Sequence, residues 1–196
     1  MASLKEFHDY HKDKTVVIVG PSACLLRDEY GSFIDSHNIV VRVNLGVPDP
    51  ALKKHVGSRT DVWSSTYGNK KSKDYMNRYN ATYIFCPYHS PLGHASIRNA
   101  KNFVQAPKKA YEQCKKDSHT TLPTGGLLTY NYYARYIPCK GIDVIGFDFY
   151  KSSYFYSVDV PPLTQDYFKD GHNPGKEEIY FREMVAEVAH LNFIEP

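Results

Sequence analysis

The 196-residue chain carries 24 Lys and Arg against 21 Asp and Glu, a formal charge of +3, with 42% hydrophobic and 23% charged residues. That length holds one domain with a full core and is short for two. The composition excludes a disordered tail, and so small a basic surplus leaves no electrostatic footprint for nucleic acid. The four cysteines, Cys24, Cys86, Cys114 and Cys139, form no CxxC pair and are too few for a secreted disulfide scaffold. The opening MASLKEFHDY lacks the apolar run of a signal peptide. No stretch approaches the roughly 20 apolar residues of a membrane helix. The expectation is a soluble, cytoplasmic protein with no membrane span.

In chain order, Lys14–Val19 (KTVVIV) is a β-branched run closed by Gly20, which suits a strand buried on both faces of a parallel sheet. Ile39–Val43 (IVVRV) predicts a second strand. The segment between them has helical spacing through Leu25, Leu26, Tyr30 and Phe33, making a βαβ unit. Further strands are expected at Thr60–Trp63, Ala81–Cys86 and Ile142–Gly146. Helices are expected at about Ser96–Lys116, interrupted by Pro107, and at about Gly126–Ile137. A last helix starts near Gly175, with Tyr180, Phe181, Met184, Val185, Val188 and Leu191 as its apolar stripe. The alternation predicts an α/β fold: a Rossmann-like α/β/α sandwich with a mostly parallel sheet, as one domain over residues 1–196.

Ligands of such sheets bind beyond the carboxyl ends of the strands. The first strand leaves into Gly20-Pro21-Ser22-Ala23, a tight turn with a hydroxyl and amides beside a helix start, which suits phosphate. It is neither GxGxxG nor GxxxxGK[ST]. Pro123-Thr124-Gly125-Gly126 opens a second helix in the same way, with Thr124 as its cap. For each turn the plain alternative is a strand end or loop that only caps a helix; together they favour a phosphate- or nucleotide-bearing ligand. Of nine histidines, His172 stands apart, in a loop before the last helix with Glu177 five residues on, an arrangement a general base can use. There is no Asp-x-Asp, no zinc spacing and no GxSxG. No metal site is therefore expected.

Taken together, these segments resemble the eukaryotic-type sialyltransferases. TVVIVGPSACLLRDEYGSFIDSHNIVVRVNLG, continuing to HVGSRTDVW, is similar to the large sialylmotif. LPTGGLLTYNYYARYIPCKGIDVIGFDF is similar to the small one, SSYFYS holds the place of the third, and His172 with Glu177 gives the H-x4-E of the very small motif. The resemblance spans about residues 15–185. It implies an inverting, metal-independent transferase with no cofactor, taking a CMP-sugar donor, normally CMP-sialic acid, and a glycan acceptor. His172 would be the general base and Glu177 would orient it or cap the last helix. Gly20, Ser22, Ala23, Asn44, Thr124, Gly125, Gly126, Phe147, Tyr154 and Tyr156 would hold the donor, with Ser22, the nearby amides and a phenol of Tyr154 or Tyr156 on the phosphate. Arg42, Arg59 and Asp61 would be framework.

Three positions depart from the family pattern. Pro21 follows the first glycine where Asn is usual, tyrosines replace the histidine of the third motif, and Val16 stands where the family's bridging cysteine would face Cys139. The tyrosines leave room for another CMP-activated acidic sugar, such as Kdo. A CMP-sugar hydrolase and an idle nucleotide- or glycan-binding module are the other readings. The acceptor would be chosen by the loops Tyr67–Arg78 and Pro87–Lys109. Asn80-Ala81-Thr82 is a glycosylation sequon, which matters only in a secreted chain.

Overall fold

The computed structural model describes residues 1–65, 72–88, 95–156 and 171–196. Among them, seven strands form one parallel sheet: β1 (Thr15–Val19), β2 (Ile39–Val43), β3 (Val62–Ser64), β4 (Tyr83–Cys86), β5 (Phe103–Gln105), β6 (Gly141–Ile145) and β7 (Leu191–Ile194). Their order is β5-β4-β3-β2-β1-β6-β7, with every pairing parallel. The helices are α1 (Leu4–His11), α2 (Gly31–Ser36), α3 (Lys53–Val56), α4 (Ser72–Tyr79), α5 (Ala95–Arg98), α6 (Lys108–Asp117), α7 (Gly125–Tyr136) and α8 (Pro174–Glu187). The expected α/β sandwich with a parallel sheet is present.

Successive side chains of a strand point to opposite faces, and the two faces of β1 show why its run is continuously apolar. Val16 and Ile18 pack with Phe7 of α1, Leu127 and Tyr130 of α7, and Phe181 of α8. Val17 and Val19 pack with Leu25, Ile34 and Val56 on the other side. A third cluster, with Trp63, Tyr79, Ile84, Ile97 and Phe103, covers the β3–β5 end.

Several expected elements are corrected. The helix across residues 96–116 is three elements, α5, β5 and α6; Pro107 does not interrupt a helix but sits at the N-cap of α6 with φ −62°. Leu191 is not the end of the last helical stripe: α8 stops at Glu187, and Leu191 opens β7. The segment after β1 is a short 3₁₀ turn, Ala23–Arg27, and then α2, so Phe33 stays exposed. β3 is shifted to Val62–Ser64. The N-terminal residues form α1, started by a capping box between Ser3 and Glu6.

Arg42 and its neighbours are framework. Fully buried on β2, Arg42 donates to the carbonyls of Arg59 (2.8 Å) and Val56 (2.7 Å), and burial pulls its pKa down to about 10. Arg59 pairs with Asp61 at 2.8 Å, and Asp61 also accepts the Val40 amide. All four cysteines are free thiols; Cys139 packs at the margin of the core cluster that holds Val16. No helix among the described residues is long and apolar enough to cross a membrane.

Candidate active site

The chain builds β1 to β5 outward in one direction and then returns to place β6 on the other side of β1. The strand order therefore reverses between β1 and β6, the switch point beyond whose strand carboxyl ends ligands of such sheets bind. A cleft of about 540 Å³, open solvent included, lies there. Pro21 and Ser22 line it after β1, Val43 and Asn44 after β2, and residues 146–150, 152 and 154 after β6. The start of α7 and Glu177 of α8 complete the wall.

The two strand exits touch through their backbones. A Cβ on Gly20 would lie 2.2 Å from the Gly146 carbonyl oxygen, and Gly146 has φ +76°, so both positions need glycine. Gly126 serves a side chain: a Cβ there would lie 2.7 Å from the Phe147 ring, which also meets Tyr130 edge-on at 5.7 Å. The glycine expected to let a ligand approach admits Phe147 instead.

The backbone amides of the first turn, expected to be open to an anion, are already hydrogen-bonded within the protein. The Gly20 amide donates to Ile145, Ser22 to Gly146 and Ala23 to Ser153; Pro21 has no N–H, and Cys24 donates to the Ser22 hydroxyl. The phosphate-cradling amides expected here are thus all committed. The end of β6 takes the first two amides and the third-motif segment takes that of Ala23; the same segment pairs back, with Ser22 bridging Tyr154 in antiparallel fashion and the Phe155 amide donating to Pro21. The Ser22 hydroxyl lies 2.9 Å from that of Ser152, which donates in turn to Asp148. This relay ends on a carboxylate, so the Ser22 proton points along it and not toward an anion.

The start of α7 is also occupied by a carboxylate. Glu177, 3% exposed, accepts the Thr124 amide at 2.9 Å and the Thr124 hydroxyl at 2.6 Å, while that hydroxyl accepts the Leu127 amide as N-cap. Burial raises the Glu177 carboxyl to about 7, against the pull of the two Thr124 bonds. His172 grips the same turn: its Nδ1–H donates to the Leu122 carbonyl at 2.7 Å, and the Thr121 hydroxyl donates to Gly171. Glu177 therefore does not touch His172 or orient it directly. The H-x4-E spacing closes residues 171–177 onto residues 121–124 at both ends. With Nδ1 committed to a carbonyl, Nε2 of His172 keeps its lone pair to accept a proton.

Of the residues expected at the site, Ser22, Asn44, Thr124, Gly126, Phe147, Tyr154 and Glu177 line the cleft. Gly20, Ala23, Gly125, Tyr156 and His172 do not; they stand next to lining residues or, for His172, on the turn leading to Thr124. Asn44 is in the left-handed region, φ 58°, which Asn tolerates. Its buried Oδ1 has no hydrogen-bond partner among the described residues. Tyr154 and Tyr156 stack at 5.2 Å and 17°. Sequence reading missed Tyr130, Asp148, Tyr150 and Ser152; Asp148 directly follows the Gly-Phe end of the small motif, the one signal that could have found it. Phe149 and Tyr150 both have positive φ, 54° and 67°, a costly turn within the stretch 148–150 that lines the cleft. The described lining side chains include two carboxylates and no Lys, Arg or His. Among the described residues no group of three or more His, Cys, Asp or Glu is placed to hold a metal ion. The acceptor-loop residues 67–71 and 89–94 lie outside the described residues.

The sequence model of glycosyltransferase family 29 (sialyltransferase) matches residues 3–91, just under half of the chain. No curated protein matches in sequence. Among solved structures, a mammalian sialyltransferase is similar at a TM-score of 0.64 and 15% identity, covering 93% of this chain and 69% of that one. A point variant of the sialyltransferase CST-II in complex with CMP gives 0.61 and 16%, covering 93% and 82%. CstII from Campylobacter jejuni with the substrate analogue CMP-3FNeuAc gives 0.56 and 15%, covering 93% and 81%. The chain thus shares sequence likeness with the sialyltransferase family over residues 3–91 and the sialyltransferase fold over most of its length.

Proposed function

We propose that the protein is an inverting, metal-independent glycosyltransferase that moves sialic acid from CMP-sialic acid to a hydroxyl of an acceptor sugar. The observation that carries this reading is the cleft at the β1/β6 switch point, whose nucleotide-facing wall is locked to the His172–Glu177 segment through residues 121–124. The family likeness, the CMP seen with one structural neighbour and the CMP-sugar analogue seen with another support the donor class.

In this reading Nε2 of His172 takes the proton of the acceptor hydroxyl as its oxygen attacks the anomeric carbon. The bond from that carbon to the phosphate oxygen breaks on the opposite face, CMP leaves with the electron pair, and the configuration inverts. General-base transfer of this kind contributes about 10²–10⁴-fold. Charge growing on the leaving phosphate needs donors. With the amides of the first turn committed and α7 capped by Glu177, a phenol of Tyr154 or Tyr156 takes that role, Tyr154 being the one that lines the cleft. Asn44 accepts from the nucleoside through its orphaned Oδ1. Ser22, Thr124, Gly126 and Phe147 shape the wall, while Gly20, Ala23 and Gly125 hold it from behind.

Product analysis after incubation with CMP-sialic acid, with and without a lactose-type acceptor and with and without EDTA, tests the proposal. Sialylated acceptor in both EDTA arms is expected. Free sialic acid with no transfer would reassign the site to donor hydrolysis, and metal-dependent transfer would refute the metal-free mechanism.

A further inference from the structure

We infer that Asp148 reads the nucleobase of the donor, accepting a hydrogen bond from the exocyclic amine of cytosine and so rejecting uracil. This rests on the CMP-sugar reading above. Asp148 stands at the exit of β6, beside the switch point, and lines the cleft. The Ser22–Ser152 hydroxyl relay ends on its Oδ2, which fixes the carboxylate from behind. Its Oδ1 makes no hydrogen bond among the described residues. Phe147 and Phe149 flank it in the chain and line the same cleft, so the acceptor stands between two apolar side chains of the wall.

An ionised carboxylate only accepts hydrogen bonds. Cytosine offers an N4 amine where uracil offers an oxygen, so Oδ1 pairs with the first and repels the second. The ribose hydroxyls are the other donors of a nucleotide. Asn44, two strands away at the exit of β2, already supplies an orphaned acceptor for them, which leaves the base to Asp148.

The test is calorimetric binding of CMP, UMP and 2′-deoxy-CMP to the full chain, to Asp148→Asn and to Asp148→Ala. The wild type is expected to bind CMP about 10- to 100-fold more tightly than UMP. In Asp148→Asn the side-chain oxygen still accepts from Ser152 while the new amide becomes a donor, so CMP weakens, UMP strengthens and the preference falls to about threefold or reverses. Asp148→Ala loses CMP affinity without gaining UMP. An arm that needs no variant uses the wild type with a pyrimidin-2-one nucleotide, which lacks both the amine and the uracil oxygen and should bind more weakly than CMP and more tightly than UMP.

An unchanged CMP/UMP ratio in a folded Asp148→Asn, an equal loss of both ligands, or a pyrimidin-2-one nucleotide binding like CMP overturns the assignment and leaves the CMP-sugar reading standing. A changed CMP to 2′-deoxy-CMP ratio in place of the base preference moves Asp148 to the ribose and equally overturns it. Failure of the wild type to bind CMP removes both.

Discussion

Replacing Glu177 with Gln should change how stability depends on pH, and the size follows from two buried groups that oppose one another. Burial lifts the Glu177 carboxyl from its ordinary 4.5 to about 7. Between those values the folded chain holds a proton that the unfolded chain has released, so stability falls as pH rises. At about 1.4 kcal/mol per pH unit the loss across this window is about 3 kcal/mol. His11 works in the other direction. Its ring, on the last residue of α1, is fully buried, with Nδ1 on the Phe7 carbonyl at 2.6 Å and Nε2 at 3.1 Å from the Tyr133 hydroxyl, and burial lowers it from 6.5 to about 4. There the unfolded chain binds the extra proton, so stability rises by a similar amount as pH climbs from about 4 to 6.5. In the wild type the two contributions nearly cancel. Glu177→Gln removes only the first, so its stability should climb relative to wild type by about 3 kcal/mol between pH 4.5 and 7. Urea unfolding at half-unit steps of pH measures both curves. Parallel curves would refute the claim that the buried carboxyl titrates near neutrality.

Other substitutions probe the packing and the donor wall. Thr124→Ala removes the α7 cap and one of the two hydrogen bonds to a buried carboxylate, and should cost about 3 kcal/mol in urea unfolding. Gly20→Ala drives a Cβ to 2.2 Å from a backbone oxygen that cannot yield, and should destabilise by about 3 kcal/mol or more, or prevent folding. Gly126→Ala meets only the Phe147 ring, so it should fold while binding CMP about tenfold more weakly, as the displaced ring enters the cleft. Tyr154→Phe should lower turnover with CMP-sialic acid by about tenfold or more with little change in stability, since it removes a donor and keeps the ring stack.

What could be read from sequence was what is local. β1 is a continuous β-branched run, β2, β4 and β6 are rich in β-branched or aromatic residues, and β1 and β2 are buried on both faces, so composition and position agreed. β5 is three residues between two helices, and its Phe103-Val104 fits a helical stripe as well as a strand. β7 was masked in the same way by Val188, which continues the α8 stripe but is its C-cap. At the site, the glycine turns and the H-x4-E spacing were visible because each lies within a few residues. Their chemistry was not, because it is set by partners far along the chain. The Ser22 hydroxyl meets Ser152, 130 residues on, and Glu177 meets Thr124, 53 residues back. The first turn has the sequence of an anion cradle, and only the fold brings in the Ile145, Gly146 and Ser153 carbonyls that consume its amides.

The most direct test of the account compares wild type with His172→Ala in two assays on the same preparation: transfer from CMP-sialic acid to a lactose-type acceptor, and the rise in melting temperature caused by CMP. His172 holds the Leu122 carbonyl but does not line the cleft, so CMP should stabilise both proteins alike, while turnover of the variant falls by about 100-fold or more. Near-normal turnover in His172→Ala would contradict the general-base role, and a wild type that CMP does not stabilise would contradict the donor itself.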